Sequence, residues 1–323
     1  SPLDGLRAIY GDRVKYAQGY AAGQPMYGSV NEIPQEVQDK LRAEAVAMAK
    51  DADVVILVGG LNKNHLQDCE GGDRQSYGLP FGQEKLIEEL QAVNKNLVLV
   101  LLSGNAVEMP WIDKVPAIVQ GWYLGSMGGK SIANVLSGKV NPSGKLPFSF
   151  PVKLIDNGAH SFDSLCYPGD GVKQVYKEDI LVGYRWHDTK KIPAAFAFGH
   201  GLSYTTFEYD KAVASAKKMT ADDQLEISVK VKNTGAVAGK EVVQLYIGDD
   251  KSSVVRPLKE LKHFQKIALN PGEEQTVTFI VSADDLKYYD EATKDWKAEA
   301  GKFKAYIGSS SADIRTVVPF VLE

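Results

Sequence analysis

Three apolar runs restrict this chain more than anything else in it: ADVVILVGG at 52–60, NLVLVLLSG at 96–104 and VPAIVQGWY at 115–123. None alternates apolar with polar residues, so each reads as a strand buried on both faces. Helical patterns lie around them. PQEVQDKLRAEAVAMAK at 34–50 carries apolar Val37, Leu41, Ala45 and Met48 at steps of four, four and three. FGQEKLIEELQAVN at 81–94 and GGKSIANVLSG at 128–138 complete the set. Buried strands alternating with helices predict a three-layer α/β/α sandwich on a mostly parallel sheet.

Past residue 220 the period changes. QLEISVKVKNTG, KEVVQLYIGDD, LKHFQKIALN, EEQTVTFIVS, GKFKAYIGSS and IRTVVPFVL alternate apolar with polar, and NTG, GDD and NPGEE mark turns between them. Six or seven short strands of this kind predict an immunoglobulin-like (fibronectin III-like) β-sandwich. The expected organisation is an α/β domain at 1–152, an ordered linker at 153–212 packed on both domains, and the sandwich at 213–323. A chain of 323 residues has room for both domains.

Composition removes several functions. The net charge is −4 and no Lys/Arg cluster occurs, so nucleic acid is not an expected partner. No apolar run is long enough to span a membrane. Two cysteines, Cys69 and Cys166, cannot make a disulfide framework or a Cys-based zinc site, and five scattered histidines give a metal little support. Neither metal nor cofactor is expected. SPLDGLRAIYGDRVKY shows no signal peptide and no initiator Met, and reads as a chain cut from something longer.

The loop after the first buried run holds the chemistry-bearing residues. In parallel sheets, ligands bind beyond the carboxyl ends of the strands. Gly59 and Gly60 end the predicted strand 53–58, so the long stretch from Leu61 to Leu79 begins at that edge. It contains DCEGGDRQSYGLP. A carboxylate such as Glu70 can act there as a general acid/base, or can simply be solvated. His65 and Asp68 are candidate substrate contacts, with Asp68 a fallback acid/base. Gly71, Gly72, Asp73 and Arg74 are candidates for shaping the loop, with Asp73 and Arg74 free to pair. Trp111, Trp122 and Trp186 can stack on sugar faces or belong to the core.

EGGDR followed by LPFGQEKLI resembles the loop and helix of glycoside hydrolase family 3, the β-glucosidases and their relatives. GWYLGSMGGKSIANVLSGKVNPSGKLPFSFP resembles the ending of that family's second domain, and VGYRWHDTKKIPAAFAFGHGLSYTTFEY its linker. VKVKNTGAVAGKEVVQLYI and RPLKELKHFQKIALNPGEEQTV are similar to its fibronectin III-like domain. The resemblance implies a C-terminal part of a retaining β-glycosidase, with Glu70 as acid/base. It places the nucleophilic aspartate on a barrel domain of the same parent chain, and no Ser-Asp-Trp occurs here. β-Linked glucosides or oligosaccharides are the implied substrates, and a fragment lacking the barrel is expected to turn over little. A periplasmic or secreted location follows from the family alone. The resemblance also implies that the first strand of the α/β domain is missing, and the open sheet edge this would leave favours a homo-oligomer. A non-catalytic carbohydrate-binding module and a subunit of a split glycosidase are the competing expectations.

Overall fold

The computed structural model describes residues 1–22, 32–64, 66–72 and 74–323. Contacts divide the chain into two units, Ser1–Val140 and Asn141–Glu323. No described helix is long and apolar enough to cross a membrane.

The first unit runs α1 (Pro2–Tyr10), α2 (Gln35–Ala49), β1 (Val55–Gly60), α3 (Gln83–Val93), β2 (Leu97–Leu102), β3 (Ala117–Gln120) and α4 (Gly128–Leu136). The strands pair in the order β1-β2-β3, all parallel, with Val55 opposite Leu97 and Val98 opposite Ala117. Leu97, Leu99, Val100 and Leu101 are fully buried, which is why this run carries no polar alternation. Helix α2 packs on α3 and α1 on α4, giving the α layers of an α/β sandwich.

One predicted face is corrected. On α2, Val37 and Met48 are 44% and 40% exposed, while Arg42 and Ala49 are buried. Arg42 is buried with its guanidinium paired to Asp39 and Glu89. A stripe read from apolar side chains alone cannot find such a face.

Strand β1 continues through both glycines. Gly60 pairs with Leu102 at φ +132°, and a Cβ there would sit 2.1 Å from the Leu102 carbonyl oxygen. Only glycine fits. The wholly buried side chain of Gln83, at the start of α3, clamps this residue. Its Oε1 accepts from Gly60 N at 2.7 Å, and its Nε2 donates to Gly60 O at 2.8 Å and to Pro80 O at 3.0 Å. The point where the long loop leaves the sheet is therefore fixed by two backbone groups and one amide.

The second unit begins with β4 (Phe150–Pro151), α5 (Tyr184–Lys190) and β5 (Ala194–Phe196), where β4 and β5 pair. Short strands β6 (Phe207–Tyr209), β7 (Val213–Ala214) and β8 (Lys218–Met219) lead into the sandwich. Its main strands are β9 (Leu225–Asn233), β10 (Gly239–Asp249), β11 (Glu260–Leu269), β12 (Glu274–Val281), β15 (Gly301–Gly308) and β16 (Ile314–Leu322), with a small hairpin of β13 (Tyr288–Asp290) and β14 (Asp295–Lys297). All six predicted alternating segments form strands. One sheet runs β11-β10-β15-β16-β8, the other β12-β9-β6, with β7 also on β9. Val229, Leu245, Val277, Phe303 and Phe320 lie in the common core.

Residues 141–212 belong to this unit by contact. Asn141 Nδ2 donates to Ala238 O at 3.0 Å, Leu261 N donates to the Tyr184 hydroxyl at 2.8 Å, and Asp188 pairs with Lys259. The division therefore falls after Val140, ahead of the residues that read as a linker.

Candidate active site

The loop between β1 and α3 turns tightly at Glu70. Cys69 and Gly72 form an isolated antiparallel bridge, so Glu70 and Gly71 make the tip of the turn. Gly71 has φ +74°, the value that a type II turn places on a glycine at its third position. The Cys69 thiol leans back on Gly72 O at 3.6 Å. The Gly71 conformation suits this turn, which leaves Glu70 exposed.

Asp68 lies at the base of the same turn. Tyr123 hydroxyl and Gly104 N donate to its Oδ2 at 2.6 and 2.8 Å, and Asn105 Nδ2 donates to its Oδ1 at 2.6 Å. Both oxygens are thereby engaged by the loops that follow β2 and β3. Burial, then the hydrogen bond to Asp68, push the Tyr123 phenol above its ordinary value, so it stays a donor at neutral pH. Asp68 gathers the carboxyl ends of three parallel strands, which suits a positioning role better than proton transfer.

Two further ties run along the segment after β2. Arg74 Nη2 donates to Ala106 O at 2.7 Å, and Glu108 N donates to Tyr77 O at 2.8 Å. The loop is thus stitched at Asp68, Arg74 and Tyr77 onto residues 104–108, and Glu70 sits in the arc between the first two stitches. Burial holds the Arg74 guanidinium below its ordinary value, opposed by the charge of Asp68. The Arg74 guanidinium also lies over the Tyr77 ring, 5.7 Å from its centroid. A cavity of about 390 Å³ opens at the foot of the turn, lined by Asp68, Arg74, Asn105 and Tyr123 among others.

Of the candidates named from sequence, Glu70, Asp68, Gly71, Gly72 and Arg74 come together here. His65 and Asp73 lie outside the described residues. Arg74 reaches a backbone carbonyl on the neighbouring loop. Trp111 and Trp186 are 3% and 6% exposed, which removes them as stacking platforms. Trp122 is partly exposed and takes φ +49°, a left-handed conformation costing about 1–3 kcal/mol outside glycine. Leu66, within the loop, and Phe81, just ahead of α3, share that strain. Gly104, Asn105 and Tyr123 escaped the sequence reading. Their signal was positional, since each lies just past a parallel strand, at the edge where ligands collect.

The stitch can be tested alone. In Asp68→Asn, the donors facing the carboxylate lose a charged acceptor. About 1.5–3 kcal/mol of local stability is expected to go, or roughly 10- to 100-fold faster hydrogen exchange at the Gly104 amide. Unchanged exchange would remove the stitch from the account.

The family model described as the glycosyl hydrolase family 3 C-terminal domain matches residues 1–204, and that of a fibronectin type III-like domain matches 241–311. The beta-glucosidase BoGH3A of Bacteroides ovatus is 61% identical over 320 residues, covering 99% of this chain and 43% of that protein. Thermostable beta-glucosidase B of Acetivibrio thermocellus is 47% identical over 86% of this chain and 36% of its own length. Among solved structures, the GH3 beta-glucosidase of Bifidobacterium adolescentis superposes with TM-score 0.88 at 36% identity, over 100% of this chain and 45% of that one. The beta-glucosidase of Kluyveromyces marxianus in complex with glucose gives TM-score 0.82 at 41% identity, over 91% and 34%. The chain spans about two fifths of the length of the curated relatives it matches.

Proposed function

This chain belongs to glycoside hydrolase family 3, and on that premise we propose that it carries the general acid/base of a retaining β-glucosidase, Glu70. The observation that carries the reading is the pinned arc. An exposed glutamate stands at the carboxyl edge of a parallel sheet, on a turn tied at both ends to neighbouring loops.

Retaining hydrolysis needs two carboxyl groups about 5–5.5 Å apart across the glycosidic bond. One attacks the anomeric carbon and forms a glycosyl ester. The other gives its proton to the departing oxygen, then takes one from the water that cleaves the ester. Glu70 suits the second role because it stands clear of the loop's internal hydrogen bonds. Asp68 is not free to do so, and Asp68, Arg74 and Tyr123 hold the loop. The attacking carboxylate is proposed to come from outside residues 1–323, in keeping with the greater length of the relatives. The substrate class is a β-linked glucoside, supported by the printed activities of the similar proteins.

The division of the site is tested by an aryl β-glucoside. A chain of the relatives' full length containing these residues should hydrolyse it, and residues 1–323 alone should not. Hydrolysis by 1–323 at whole-enzyme rates would overturn the reading.

A further inference from the structure

Among the described residues, the Arg, Lys, Asp and Glu residues that are buried as a whole are Arg42, Glu178, Glu241 and Lys259. Arg42 pairs with Asp39 and Glu89, Glu241 with Lys145, and Lys259 with Asp188. Glu178 makes no ion pair. Its carboxylate oxygen Oε2 is met by the thiol of Cys166, Sγ at 3.1 Å, and a thiol is a weak donor. Buried charges are ordinarily paired, because solvation lost on burial must be replaced. Glu178 breaks the pattern that the other three keep.

Its surroundings supply a reason. Glu178 lines a cavity of about 290 Å³ within the second unit, together with His187, Ser149, Asn157, Phe148 and Leu181. His187 is 6% exposed, and its Nδ1 lies 3.0 Å from Ile192 O. A carbonyl only accepts, so Nδ1 carries the hydrogen, which leaves Nε2 to accept whenever the ring holds a single proton. Glu178 and His187 border one space without forming an ion pair with each other. A carboxyl group without an ion pair and an imidazole nitrogen on one cavity call for a ligand that brings donors and a positive charge. Among the described residues, no three His, Cys, Asp or Glu side chains are grouped to hold a metal ion. A neutral sugar would supply hydroxyl donors but leave the carboxylate uncompensated.

We propose that this cavity binds a small organic ammonium ion, whose N–H groups are shared between the Glu178 carboxylate and Nε2 of His187 while its carbons lie against Phe148 and Leu181. The site is independent of the Glu70 loop and of the glycosidase reading.

The test is a calorimetric titration of the 323-residue chain with ethylammonium chloride. Ethanol and glucose serve as neutral comparators and potassium chloride as the ionic control. Saturable binding is expected with ethylammonium alone. It should weaken at least 10-fold in Glu178→Gln, a change that removes the charge and keeps the shape, and in His187→Gln. The second variant serves should the first fail to fold, and circular dichroism checks both. Three results would each overturn the proposal: no saturable binding by the wild-type chain, equal binding by wild type and a folded variant, or glucose binding as tightly as ethylammonium. The last would make the cavity a neutral polyol site.

Discussion

Glu70→Gln, placed in a chain of the relatives' full length, is expected to lower the rate on an alkyl β-glucoside by about 10²–10⁴-fold, the usual contribution of a positioned proton donor. The loss should depend on the leaving group. An alkoxide needs a proton to depart, so its release suffers fully. A nitrophenolate leaves without one, so the first step is nearly spared and the glycosyl ester accumulates. Water attacks that ester slowly when no base removes its proton. Azide needs no such base, so adding it should restore turnover on the aryl substrate and yield the glucosyl azide with retained configuration. A variant that matches wild type on the alkyl glucoside and ignores azide would return Glu70 to the status of a solvated loop residue. Attention would then move to Asp68, whose oxygens would have to leave three hydrogen bonds before taking part.

Gln83→Leu should destabilise the first unit by about 2–4 kcal/mol. The leucine fills similar space but offers no polar atom, so Gly60 N–H and C=O both lose their side-chain partner. A buried group left unsatisfied costs roughly 1–3 kcal/mol. Gly60 cannot move away, because its contact with Leu102 leaves no space. The chain has two units, so a single melting curve can mix their transitions. Hydrogen exchange at the β1–β2 amides reads the first unit alone. A change below about 0.5 kcal/mol, the level of an ordinary surface substitution, would show that the clamp is dispensable.

Much of this architecture was legible because burial imposes a period. β2, with Leu97, Leu99, Val100 and Leu101 buried on both of its faces, had to lack polar alternation, and β9 had to alternate, since its residues from Leu225 to Asn233 face the core at every second position. The loop edge was legible for the same reason, since parallel strands send their ligands to one end. Three things were not. The buried face of α2 depends on Arg42 finding Asp39 and Glu89, and one of those partners lies on another helix. The hold on Asp68 comes from Gly104, Asn105 and Tyr123, which approach only after the strands have paired. The placing of Trp111 and Trp186 in the core follows from their neighbours in space, since an indole carries the same sequence signal in either setting.

The stitches at Asp68, Arg74 and Tyr77 also have a consequence for entropy. A loop as long as Leu61–Leu79, left free, samples many conformations. Holding Glu70 in one of them would be charged against every encounter with a ligand, at about 1–2 kcal/mol for each residue ordered. Fixing the arc at both ends moves that loss into folding, where it is offset by the whole first unit and incurred once. Binding at the tied turn should then carry little ordering entropy.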